Sequence, residues 1–565
     1  MKFLLKFIFI ISISSLLFIF TFYILKPVFY SDSIIIPYSI KPFDICLKYP
    51  EAWNYIKKLH VLTSIISYVI ISNYIFKLFF SKINIDKKQF NKKTTSNLGE
   101  FKLYIGTDSN NNNIFIPEKA LYQNIFITGT IGTGKTSSAM YPFTEQLIKN
   151  KNKIGILILD VKGNYYKQVL KYCKKYEREK DIIEISINSN LKYNPLHKPN
   201  ISPTVLANRL KTILLLFSKN NSDSYWLDIV EEAIANCIKL CRIYNDGYVT
   251  FKEINNLVFD SNYYKTKIPY LRKLFISGKL SVANTYDLYS SLEFFNNEFF
   301  KLDNRTLSII KSEIGRITNT FTSEYKISKT FCPPKNEINF SGFKEVIEQG
   351  KIVILNMNIA EYRNLSKIIA AYLKLDFQSE VLSLLKNPSS IKTTSFICDE
   401  YHEYVTANDA DFFSQSREAK CINIVSTQSY TSLYHSLNNP YSTKVIIQSL
   451  VNKLWFRTDD IFTIEEIQKQ IGKEEKIKTS VTISENSKET NYDYLFRKLK
   501  SKNSNISESV NNYTQKDFIY DTNFFTQELE TFSCIAFLSD GKKILPPKKI
   551  KLSPYFIQKN NIKGS

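Results

Sequence analysis

The sequence predicts an α/β fold with an all-helical insertion behind a two-helix apolar hairpin, and three observations carry that prediction. Short apolar runs rich in β-branched residues alternate with segments of helical period from about Leu98 onward. Between about Pro203 and Phe331 the period becomes helical throughout, and two long apolar stretches occupy the first 80 residues. At 565 residues the chain exceeds one ordinary domain and can bury a large core plus an accessory domain. A formal charge of +22 favours an acidic partner such as nucleic acid or an anionic membrane surface. Lys, Asn, Ile, Tyr and Phe are abundant throughout, as an AT-rich coding sequence gives whatever the function, so charge alone selects no partner.

Phe3 to Leu25 is almost unbroken apolar sequence, with Lys6 its only charge and no Pro or Gly. As a helix it spans roughly 34 Å, enough to cross a hydrocarbon core of about 30 Å. It ends in Tyr23-Ile24-Leu25-Lys26-Pro27 rather than in small residues, which argues against a cleaved signal peptide. Val61 to Phe80 is a weaker stretch, carrying Ser64, Ser67, Ser72, Asn73 and Lys77. Its length and position favour a second span over a buried core helix. The expected order is therefore a span over 1–25, an external loop over 26–60 and a second span over 61–80.

Three further blocks follow: 81–202, the helical insertion 203–331, and 332–565. In the first block, Asn124 to Thr128 reads as a strand, followed by a glycine-rich turn, a helix through Glu145 and Lys149, and a buried strand over Ile154 to Leu159. In the insertion, Leu206, Leu210, Ile213, Leu214 and Phe217 recur at helical spacing, as do Trp226, Val230, Ala233, Cys237 and Cys241. Strands return at Ile352–Leu355, Ser395–Cys398, Ile422–Ser426 and Lys453–Arg457, with a β-like pair at Ser533–Leu538 and near Ile544. Thr479 to Gln515 is Ser/Asn/Lys-rich with little periodicity and reads as a mobile loop. The eight cysteines are scattered, and only Cys237 and Cys241 are neighbours, one helical turn apart. That geometry is poor for a disulfide, so reduced thiols in a cytosolic domain are expected, and the sequence offers no metal-ligand cluster.

Gly129-Thr130-Ile131-Gly132-Thr133-Gly134-Lys135-Thr136 matches G-x-x-x-x-G-K-[ST] in full, between an expected strand and an expected helix. Its glycines let successive backbone N–H groups and the helix N-terminus face phosphate charge. Gly129, Thr130, Gly132, Thr133, Gly134, Lys135, Thr136 and Ser137 are therefore the expected ATP-binding residues. Lys135 reaches the β- and γ-phosphates and Thr136 holds Mg²⁺. Phe396-Ile397-Cys398-Asp399-Glu400 is an apolar strand ending in two carboxylates. Asp399 is expected at the Mg²⁺ shell and Glu400 as the group that orients or deprotonates the attacking water, a pairing that argues for hydrolysis rather than storage. Gln428, in Ser426-Thr427-Gln428-Ser429 at another strand end, is the candidate γ-phosphate sensor. Arg417 and Arg457 are the two candidates for an arginine finger into a neighbouring subunit, against surface salt bridges as the plainer reading. His402 reads as structural. Lysine counts on either side of the hairpin do not orient it, but ATP is cytosolic, so both chain ends belong inside.

Several features coincide in order: Met140-Tyr141-Pro142-Phe143, Leu159-Asp160-Val161-Lys162-Gly163-Asn164, Tyr193-Asn194-Pro195-Leu196, Tyr225-Trp226, Asp399-Glu400, Ser416-Arg417-Glu418, Thr427-Gln428-Ser429 and Val451 to Thr458. Behind a two-helix anchor, that series resembles the TraG/TraD-type coupling ATPases of conjugation and type IV secretion over nearly the whole chain. The resemblance implies a RecA-like P-loop motor with a helical domain, anchored in the bacterial cytoplasmic membrane and assembled as a homo-hexamer. It implies delivery of relaxase-bound single-stranded DNA, or of protein substrates, to the channel components of a secretion system. Asn164 departs from the Glu that usually follows Asp-x-Lys-Gly. Two other readings stay open: a DNA translocase of the FtsK/HerA kind, against which the helical insertion and the Asn-Pro-Leu element stand, and a receptor for secreted proteins alone.

Overall fold

Alternation at a period of two sorts each short apolar run of this chain onto both faces of a sheet. In the computed structural model β1 (Lys102–Asp108), β2 (Asn113–Pro117), β3 (Ile125–Thr128), β4 (Gly155–Leu159) and β5 (Ile182–Ile185) come first. They are followed by β6 (Ile352–Leu355), β7 (Thr394–Cys398), β8 (Cys421–Thr427) and β9 (Asn452–Phe456). The structure describes residues 101–216, 224–386, 391–486, 492–493, 498–499 and 505–557, with the isolated positions 55, 58 and 62. Apart from the isolated Leu62, both expected spans lie outside the described residues. Among the described residues no helix is long and apolar enough to cross a membrane.

Seven strands run parallel in the order β9-β3-β8-β7-β4-β6-β5. On one face Ile125, Ile127, Ile156, Ile158, Ile352, Ile354 and Ile397 pack against the helix Tyr141–Ile148 and its neighbours. On the other, Phe126, Leu157, Leu159, Val353, Leu355 and Phe396 join a cluster that continues into the helices of 203–331. A parallel sheet covered on both faces explains why these strands read as continuous apolar runs.

The antiparallel edge was less visible. After β10 (Lys473–Asn486), β11 (Tyr492–Asp493), β12 (Lys498–Leu499) and β13 (Asn505–Phe518), the strands β14 (Ser533–Phe537) and β15 (Lys548–Lys551) extend the sheet beyond β9. They join it to β1 and β2, making eleven strands in all. The last strand follows Pro546-Pro547 rather than containing Ile544, whose one bridge is to Ser539.

The Thr479–Gln515 stretch differs from its expected loop character. Its flanks belong to β10 and β13, which pair antiparallel from Lys473↔Phe518 to Asn486↔Asn505. Ile477, Val481, Val510 and Tyr513 are exposed, so no buried face imposes the apolar alternation by which strands are recognised in sequence.

Between β5 and β6 lie Pro203–Leu215, Ser224–Tyr244, Phe251–Phe259, Ser261–Ile276, Val282–Glu293, Asn304–Thr322 and Tyr325–Phe331, all helical. Cys237 and Cys241 are both buried and unbridged. The Tyr193-Asn194-Pro195-Leu196 element joins this helical block to the sheet. Asn194 donates to the Val249 carbonyl at 2.8 Å, and Tyr372 donates to the Pro195 carbonyl. Tyr193 donates to Asp376 at 3.0 Å. Asp376, fully buried in the helix Ile359–Ser383, also takes Lys198 at 2.7 Å and Arg209 at 2.8 Å.

Candidate nucleotide-binding site

β3 ends at Thr128, and the chain turns through Gly129–Gly134 into a helix. Gly132 and Gly134 hold φ of +81° and +96°, which a side chain resists. A Cβ at Gly134 would run into the ring of Phe532, whose N–H donates to the Thr133 carbonyl at 3.1 Å. The helix opens with a π-helical turn, Lys135–Met140, in which the Tyr141 N–H reaches the Thr136 carbonyl. Pro142, which has no N–H, follows at the start of the α-helical part. The widened turn accommodates a proline that a regular helix interior would reject.

Each loop residue has a definite place. Thr130 donates its N–H to the Arg457 carbonyl at 2.9 Å, and the Thr133 hydroxyl donates to the Thr130 carbonyl at 2.8 Å. Ser137 donates back to the Gly134 carbonyl at 3.3 Å. The Lys135 ammonium donates to the carbonyls of Gly129 and of Thr130, the latter at 3.1 Å. Burial lowers the Lys135 pKa, and Glu400 and Asp399 oppose that shift.

The parallel sheet brings the ends of β7 and β8 to this loop. Thr136 donates to Asp399 Oδ2 at 2.8 Å, and Ser426 donates to Asp399 Oδ1. Glu400 follows in the left-handed region, with φ of +52°. Its carboxyl is raised by burial first and by Asp399 second, while Lys135, Lys162 and a hydrogen bond with Gln428 pull it back. Glu400 Oε2 is buried and accepts no hydrogen bond among the described residues.

Lys135, Thr136, Asp399, Glu400 and Gln428 thus converge on one place. Arg417 does not. It is exposed in the turn before β8, at the strand end opposite the loop. Arg457 follows β9 directly, with its carbonyl bonded to Thr130 of its own loop.

Sequence reasoning missed three neighbours. Lys162, just beyond β4, lies 4.0 Å from Glu400. Thr427 shares a 3.2 Å hydrogen bond with His402 Nδ1, and that nitrogen is 3.7 Å from Glu400 Oε2. His402, read as structural, therefore stands beside the carboxylate pair, and burial depresses its pKa. The available signal was positional: each of these residues sits at or just past the C-terminal end of a parallel strand, where ligands bind in such sheets. Asp160, at the same level, accepts the N–H groups of Lys162 and Tyr165, both at 3.1 Å, and burial raises its carboxyl.

No protein-family model matches the chain, and no curated protein matches it. Solved structures do. The bacterial conjugative coupling protein TrwBΔN70, unbound, superposes with a TM-score of 0.53 at 12 % identity, over 82 % of this chain and 90 % of that one. The fold is that of a conjugative coupling protein. TrwB in complex with the ATP analogue ADPNP gives a TM-score of 0.54 at 12 % identity, over 83 % of this chain and 91 % of that one. TrwB with ADP and Mg²⁺ gives 0.53 at 12 % identity, over 82 % and 97 %. In this coupling-protein fold the glycine-rich loop, Asp399, Glu400 and Gln428 share the C-terminal rim of the parallel strands.

Proposed function

We propose that the chain is a membrane-anchored ATPase that couples hydrolysis to delivery of relaxase-bound single-stranded DNA, or of protein substrates, to a type IV secretion or conjugation channel. The observation that carries the reading is the 2.8 Å contact between Thr136 of the loop and Asp399, with Glu400 next in sequence and buried beside Lys135. Hydrolysis needs a phosphate cradle, a metal-binding pair and a base in one place.

A hydroxyl and a carboxylate at the loop mouth are hard oxygen donors suited to Mg²⁺, so Thr136 and Asp399 would hold it. Bound there, the ion would neutralise charge on the phosphate oxygens. The backbone N–H groups of the loop bind phosphate, and Lys135 leaves the carbonyls of Gly129 and Thr130 to pair with it. Glu400, with its carboxyl raised and Oε2 free of hydrogen bonds, accepts the proton of the attacking water. Gln428, bonded to Glu400, links that base to the γ-phosphate position.

The two-span anchor rests on the apolar stretches of the first 80 residues, and the hexamer and the channel partners rest on the family resemblance. Contact with single-stranded DNA would run through backbone phosphates and fall steeply with salt. The test is ATP turnover by the full chain in detergent, with and without single-stranded DNA, beside Lys135→Ala. DNA-stimulated turnover that vanishes in the variant supports DNA delivery, and turnover indifferent to DNA favours protein cargo. Turnover that survives Lys135→Ala overturns the assignment of the site.

A further inference from the structure

We propose that a cavity at the N-terminal end of β9, walled in part by the helix Tyr430–Leu437, binds a small organic anion through the ammonium group of Lys453. The cavity lies at the end of β9 opposite the one that meets the nucleotide loop. β9 pairs with β3 in parallel, Lys453 opposite Phe126 and Trp455 opposite Thr128, so the chain runs from the cavity towards the loop.

Alternation sends Leu454 and Phe456 to the face of the sheet that carries the loop helix, and Trp455 to the other. Lys453 shares the face of Trp455. Trp455 is covered by Ile464, Ile467, Phe525 and Ile535, an ordinary apolar packing. Lys453 has no such explanation. It is only 4 % exposed, yet its ammonium makes no hydrogen bond, ion pair or ring contact among the described residues. Its Nζ keeps some solvent exposure and opens onto the cavity, where no group among the described residues offsets the cost of its partial removal from water. Glu466 also lines the cavity, but Lys469 engages it at 3.1 Å.

The space beside Lys453 has the form of a small-molecule site. It is a half-open cleft of about 470 Å³, lined by Tyr434, Phe537, Lys444, Gln448 and Glu466. Sites for small ligands have this size and pair apolar or aromatic walls with a few polar anchors. Two ammonium groups line the cavity and its carboxylate is already paired with Lys469, so the lining favours an anion, and the two rings fit a flat apolar body. A carboxylate on an aromatic or short acyl frame is the matching class. Burial lowers the Lys453 pKa to about 8, which leaves the ammonium form dominant at neutral pH. This site requires nothing of the ATPase reading.

The test is calorimetric titration of the full chain in detergent at neutral pH with benzoate, with benzamide as the uncharged shape match, and with inorganic phosphate. Saturable benzoate binding is expected below about 10 mM, with benzamide and phosphate at least about tenfold weaker. Lys453→Met should abolish benzoate binding while unfolding at or above the wild-type temperature. Lys444→Gln, an exposed change that leaves the fold alone, should weaken benzoate by about threefold. Absence of saturable benzoate binding overturns the proposal, as does equal binding by Lys453→Met. Preference for phosphate or benzamide over benzoate overturns the assigned class.

Discussion

Asp376→Asn is the substitution that most directly tests how the helical block is joined to the sheet. The wild-type carboxylate is fully buried and faces two cations, Lys198 at 2.7 Å and Arg209 at 2.8 Å, both themselves buried. Burial alone would raise its pKa, but Lys198 and Arg209 outweigh burial and hold it below the ordinary value. The amide keeps the shape and its one oxygen can still accept the Tyr193 hydroxyl, but its NH2 then faces the Arg209 donor, so the change removes the charge and one acceptor. It strands two buried cations, for which breaking a buried pair from one side costs about 3–5 kcal/mol. The assay is urea unfolding of the full chain in detergent at neutral pH. Arg209→Met added to Asp376→Asn should recover part of the loss, because one stranded charge is then gone. A folded-state pKa below the unfolded one means that the contribution is complete above the unfolded carboxylate pKa of about 4 and fades as pH falls. The gap between wild type and variant should therefore narrow in acid. A loss below about 1 kcal/mol at neutral pH, or a gap that widens in acid, would refute the reasoning.

Two further outcomes concern the loop and its base. Glu400→Gln should cut ATP turnover by about 10²–10³ while leaving nucleotide affinity within a few-fold, measured by turnover beside equilibrium binding of a fluorescent ATP analogue. Unchanged turnover would remove Glu400 from its role. Gly134→Ala should lower nucleotide affinity at least about tenfold, because φ there is +96° and the new methyl meets the Phe532 ring. Phe532→Ala should restore part of that loss by opening the space, and an undiminished affinity in Gly134→Ala alone would contradict the packing described.

What the sequence made legible follows from where information is local. Gly129 to Thr136 can be read because the phosphate cradle is eight consecutive residues. The strands ending at Thr128, Leu159, Leu355 and Cys398 can be read because a sheet buried on both faces needs unbroken apolar runs. Asp399 and Glu400 follow from their place after such a run. Lys162 and Thr427 escaped because their nearness to Glu400 and His402 depends on the order β8-β7-β4, which no local pattern encodes, whereas His402 lies two residues from Glu400 and only its role was misjudged. Phe532 was equally hidden, since only the tertiary structure sets its ring beneath Gly134. The β10–β13 ribbon was missed for the opposite reason: ladder hydrogen bonds fix it in place, and they are indifferent to side-chain polarity.

The sheet order also constrains how this protein is made. β3 delivers the nucleotide loop, yet its two neighbours, β8 and β9, begin at Cys421 and Asn452. The 292 residues between Thr128 and Cys421 occupy a ribosome for roughly 15–60 s at typical elongation rates. Throughout that interval the glycine-rich segment has been synthesised but lacks its flanking strands, and Phe532 beneath it comes later still. The loop with both flanking strands and the Phe532 ring in place is thus complete only near the end of synthesis.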